Sequence, residues 1–110
     1  TVMLRADIDA LPYADPNDPE RIEAIHACGH DAHAAILLAA APEIRKNLKK
    51  GKIRLAFQPA EESLQGALAM IKDGVLDGVD IVVGSHIRPV QDLPFRKYCS
   101  VRESCCLCNR

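Results

Sequence analysis

"VDIVVGSH", running from Val79 to His86, is the stretch on which the fold turns. Ile81, Val82 and Val83 form an uninterrupted β-branched run. It reads as a buried strand of the kind parallel sheets use, leading straight into His86. Parallel strands are joined by crossovers, usually helical, so the same alternation should appear upstream. Ile53, Leu55 and Phe57 alternate with Arg54 and Ala56 at strand spacing. "QPAEES" breaks that strand, and Leu64, Ala67, Leu68 and Ile71 then give a short helix ending at Gly74. Ile36, Leu37, Ala40, Ile44 and Leu48 recur every three to four residues and predict a helix from Ala32 to Lys49, kinked or split at Pro42. Arg45, Lys46, Lys49 and Lys50 suit the negative end of its dipole, and Gly51 stops it. Val2 to Ala6 reads as a first strand, closed by "DIDALP" with its Pro12. Residues 13–25, "YADPNDPERIEAI", carry turn signals and two prolines and read as a surface loop. The order strand, helix, strand, helix, strand predicts an α/β fold, a mostly parallel sheet with right-handed crossovers and flanking helices.

That topology gathers the chemistry. Asp7 and Asp9, Glu61 and Glu62, and His86 all follow predicted strands, and the carboxyl ends of strands are where open α/β sheets build sites. "HACGHDAH", His26 to His33, adds three histidines, a cysteine and an aspartate. Cys28 and His30 flank Gly29, whose backbone freedom lets thiolate and imidazole reach one ion; zinc accepts sulfur, nitrogen and carboxylate oxygen together. The plain alternative is a small buried cysteine beside a histidine bonded to backbone. A third reading makes Cys28 a nucleophile with His30 or His26 as its base, which leaves the glutamate pair without a task. Neighbouring glutamates in an irregular loop point different ways, so one of Glu61 and Glu62 could bind an ion while the other holds water, unless both only form an acidic helix start. His86 is a ligand or a partly buried strand-end histidine. Asp7 and Asp9, at i and i+2 on one face, either orient a ligand histidine or cap turns. Asp31 suits a helix cap, His26 could orient a ligand or substrate, and His33 begins the helix.

Composition narrows the classes. In 110 residues one domain is expected, and 48% hydrophobic with 26% charged residues suits a globular chain and not a disordered one. Fourteen basic residues against fifteen acidic ones leave a net charge of −1, which gives no electrostatic basis for binding nucleic acid or a membrane surface. The longest apolar run, Ala34 to Pro42, falls far short of the roughly 20 residues of a membrane span. No signal peptide is visible, and an odd five cysteines argue against a disulfide framework, so a reducing cytoplasm is expected. "TVMLRAD" opens as if mid-strand, which reads as a fragment or truncated product.

"LRADIDALP", "HACGHDAH", "FQPAEES", "GALAMIKDGVLDGVD" and "GSHIRP" resemble, in order and spacing, the metal-dependent amidohydrolases. These are the aminoacylase-like group of hippurate hydrolases, N-acyl-amino-acid amidohydrolases and indole-acetyl-amino-acid hydrolases. The resemblance runs from Thr1 to Phe95 and implies a zinc-peptidase-like catalytic domain with two divalent ions, manganese, zinc, nickel or cobalt, cutting the amide bond of a small N-acyl amino acid. It implies Cys28, as the bridging residue, with His30, Glu62 and His86 as metal ligands, Glu61 as general base and Asp9 as supporting aspartate. Homo-oligomers would belong to the full-length family. The chain also departs from that pattern. The leading segment, the inserted substrate and dimer domain and the closing half with a further histidine are absent, and residues 15–25 are atypical. Residues 1–95 therefore read as a partial catalytic domain. Residues 96–110, "RKYCSVRESCCLCNR", read as a tail from a frameshift or truncation, or else as a soft-metal cluster of Cys105, Cys106 and Cys108, with Cys99 nearby. Little or no turnover is expected of such a product, and a non-catalytic metal-binding fragment is the competing class.

Overall fold

The computed structural model describes residues 1–87; the readings placed on the cysteine-rich tail lie outside the described residues. The apolar alternations become three parallel strands. β1 (Val2–Asp7) lies between β4 (Ile53–Gln58) and β5 (Ile81–Gly84), with Leu4 opposite both Leu55 and Val83. Helix α1 (His30–Asn47) packs on β1, and α2 (Gly66–Lys72) lies against β4. This is the expected mostly parallel α/β arrangement.

Three expectations are corrected. Residues 13–25 are not a loop. Leu11–Asp15 (β2) and Asp18–Ile25 (β3) form an antiparallel hairpin, turned by Asn17 N–H donating to Asp15 Oδ1 at 2.8 Å. Pro12 therefore lies inside β2. Both hairpin strands are exposed except at their ends, so no face along their length selects apolar residues and the alternation that marks a half-buried strand does not arise. Helix α1 begins two residues earlier than expected, at His30, and continues through Pro42 as one helix. Finally, β5 is exposed along its length, with Val82 half-exposed at 50%. Its composition is that of a strand covered on both faces, but among the described residues no element covers it.

The core is small: Met3, Ala6, Leu37 and Ala56. As many polar residues are buried beside it, namely Asp7, His30, His33 and Gln58. Since burying polar groups is costly unless they are paired, this concentration at the carboxyl end of β1 marks where the molecule is specialised. Among the described residues no helix is long and apolar enough to cross a membrane.

Candidate metal centre

His30 is the first residue of α1, and Gly29 caps that helix with φ 77°, the left-handed conformation that glycine adopts without strain. A Cβ at Gly29 would also lie 2.2 Å from Ile87 Cδ1, so a side chain there would have to displace the end of Ile87 as well as adopt the left-handed backbone. This turn delivers Cys28 and His30 together. His30, His33 and Leu37 are the buried residues of α1, at i, i+3 and i+7, and so share the face turned to β1.

His30 is fixed from one side. Its Nδ1 lies 3.0 Å from the Asp9 carbonyl and 3.3 Å from Asp9 Oδ1. Asp9 Oδ2 accepts a hydrogen bond from Glu62 N–H at 3.0 Å, so one carboxylate ties the helix start to the turn after β4. That turn is tight: Ala60 takes φ 52°, Leu64 N–H donates to Glu61 O, and Gly66 N–H donates to Ala60 O. Gly66 is required there, because a Cβ would fall 1.6 Å from the Pro59 carbonyl oxygen. The turn brings both glutamates to one place. His30 Nε2 lies 3.9 Å from Glu61 Oε2, 3.8 Å from Glu62 Oε1 and 3.7 Å from Asp7 Oδ2. Both glutamates thus approach the same nitrogen, and of the two Glu62 joins Cys28 and His30 in a group with metal-binding geometry.

Among the described residues His30 Nε2 is the one buried side-chain polar atom without a hydrogen-bond partner. A buried imidazole nitrogen left unpaired costs free energy unless something else meets it, and here it faces three carboxylates and a thiol. Cys28, His30 and Glu62 present donor atoms within 4.8 Å of one another, a sulfur, nitrogen and oxygen set that suits zinc or a similar divalent ion. A second such group is Asp7, His30, His33 and His86, which shares His30 with the first. The four residues expected as ligands therefore divide around His30: Cys28 and Glu62 on one side, exposed His86 on the other. His86 packs edge-on to His33, ring centroids 4.6 Å apart.

Negative charge gathers around the thiol. A hydrogen bond to Glu62, burial, and the charges of Glu62, Glu61 and Asp7 push the Cys28 thiol up to about 11. A cysteine held in that state is a poor nucleophile, which tells against the Cys/His reading. His26 is exposed, and its carbonyl accepts a hydrogen bond from Gly29 N–H. Burial would raise the carboxyl of Asp7, but the hydrogen bond with His33 and the Arg5 guanidinium outweigh it and hold the group below the usual carboxylate range. Asp9 is likewise lowered: burial opposes, and the backbone N–H groups of the 61–62 turn prevail.

Two residues gain weight. Asp7 is almost fully buried, with Arg5 Nη1 on Oδ2 at 2.8 Å and His33 Nδ1 on Oδ1 at 2.5 Å. His33 does more than begin a helix, and its signal was its place one turn after His30 on the buried face.

Comparison with known proteins agrees with the motifs. The sequence model of peptidase family M20/M25/M40 matches residues 3–95. The chain is 51% identical over 94 residues to an N-acetyl-L-cysteine deacetylase of Bacillus subtilis, covering 80% of this chain and 23% of that protein. It is 45% identical to an N-acyl-L-amino acid amidohydrolase of Geobacillus stearothermophilus (78% and 25% covered) and 45% identical to a hippurate hydrolase of Campylobacter jejuni (78% and 24%). The chain thus spans about a quarter of the length of these curated relatives. No solved structure matches it.

Proposed function

Because the chain belongs to peptidase family M20/M25/M40, we propose that residues 1–87 carry part of a metal-dependent site hydrolysing the amide bond of N-acyl amino acids. The observation that carries this reading is the buried, unpartnered Nε2 of His30 among Glu61, Glu62 and Asp7. Cys28, His30 and Glu62 would hold a divalent ion, manganese, zinc, nickel or cobalt, and His86 would be a further ligand. When bound, the ion supplies a Lewis acid that polarises the amide carbonyl and lowers the pKa of water towards roughly 7. Glu61 takes the proton from the attacking water and passes it to the departing amine. Asp9 positions His30 and the glutamate turn. Cys28 as a ligand requires a reduced thiol, which accords with a cytoplasmic setting.

Glu61 and Glu62 are about one-third exposed and His86 is exposed, so the described residues leave the site open to water. An open site weakens every electrostatic interaction on which the chemistry depends. Metal binding by this chain is therefore expected to exceed its turnover. The test is a pair of variants read by metal content and by amine release from hippurate and N-acetyl amino acids. Glu62→Gln is expected to lose metal, whereas Glu61→Gln keeps metal and loses amine release. The reverse pattern of metal retention would contradict the assigned roles.

A further inference from the structure

His33 sits in a group with metal-binding geometry, but both its ring nitrogens are already engaged. Nε2 lies 2.9 Å from the Ile87 backbone N–H, which can only donate, so Nε2 must be the unprotonated acceptor. Nδ1 then carries the proton and donates it to Asp7 Oδ1. Asp7 is held in turn by Arg5, whose Nε donates to Gln58 Oε1 at 2.8 Å. An independent contact fixes the same segment, since the Ile87 side chain lies over Gly29, where even a Cβ would clash. Ile87 directly follows His86. The chain leaving β5 is thus pinned to the start of α1 by one hydrogen bond and one apolar contact, one residue beyond the exposed histidine.

We infer that His33 is a positioning residue and not a ligand: fixed by Asp7 in its Nδ1–H tautomer, it clamps Ile87 and so sets His86 beside His30. This rests on the reading of His86 as a ligand, but the clamp has its own observable in the metal-free chain. Long-range 15N–1H spectra of the histidine rings at neutral pH should show His33 protonated at Nδ1 and bare at Nε2. An Nε2–H tautomer overturns the inference. Hydrogen exchange of the Ile87 amide supplies the second readout. His33→Leu should speed it at least about tenfold, the loss of one well-made hydrogen bond, and His33→Gln, whose carbonyl oxygen can accept near Nε2, should restore protection. Equal exchange in all three proteins overturns the clamp. Should His33→Leu fail to fold, the tautomer of the unsubstituted chain decides alone. In the cobalt(II)-loaded chain the ring signals of His30 and His86 should be paramagnetically shifted as ligands, and coordination of His33 would refute the assignment. If cobalt does not bind at all, the metal reading fails while the tautomer still decides the clamp.

Discussion

Removing the Asp9 carboxylate should loosen the site without dismantling it. In Asp9→Ala the His30 ring keeps its 3.0 Å contact with the Asp9 carbonyl and loses only the longer one, 3.3 Å, to Oδ1. Glu62 N–H loses its 3.0 Å partner and turns to water. A hydrogen bond to a charged group contributes about 1.5–3 kcal/mol, and this one lies near the surface, so a stability loss of about 1.5 kcal/mol is expected. Loss of a group that orients a ligand typically weakens metal binding about 10 to 100-fold, and the surviving carbonyl contact argues for the lower end, about tenfold. Asp9→Asn retains an acceptor for Glu62 N–H and should fall between Asp9→Ala and the parent. Urea unfolding and cobalt(II) titration, followed by absorbance, measure the two quantities. Unchanged stability together with unchanged affinity would refute the claim that Asp9 ties His30 to the glutamate turn. A loss beyond about 1,000-fold in affinity would make Asp9 a ligand itself, since it exceeds what an orienting group supplies.

With its thiol at about 11, Cys28 should alkylate about tenfold more slowly at pH 8 than an ordinary exposed cysteine, because far less of it is thiolate and the greater nucleophilicity of a more basic thiolate offsets only part of that loss. Peptide-resolved mass spectrometry of iodoacetamide labelling reads this rate, and Glu62→Gln should raise it. Asp7 is lowered in the folded chain, so it contributes stability above its unfolded pKa that is lost as pH falls through the folded one. The urea midpoint should therefore drop on acidification below about pH 4, and by less in His33→Leu, where the principal lowering bond is missing. Gly29→Ala forces a side chain into the left-handed region and against Ile87, and a loss of about 1–3 kcal/mol is expected. Adding Ile87→Ala should relieve only the steric part, which a double-mutant cycle on urea midpoints resolves.

The parallel sheet was legible because its strands carry apolar or alternating runs and its crossovers carry helical spacing. The hairpin was not, because Tyr13 and Ile22 are solvent-facing like their polar neighbours, so no apolar face marks either strand. The apolar run at β5 correctly announced a strand, but composition records the surface a strand is suited to meet, and Ile81 and Val83 stay about half exposed among the described residues. At the site, Cys28, His30 and the glutamates were legible from residue type and from position after strands. Their convergence on a single nitrogen was not, since it depends on Ala60 adopting a left-handed backbone, for which an alanine gives no signal. His33 was visible in principle, three residues after His30 on the buried face. Its partnership with Ile87 joins residues 54 apart in sequence, and no local pattern encodes that.

Metal content of the purified 110-residue chain, set beside the Cys28→Ala/His30→Ala double variant, tests the central claim most directly. A site built round His30 Nε2 should hold about one equivalent of manganese, zinc or cobalt in the parent and none in the variant. Equal metal in both proteins, or none in either, would contradict it.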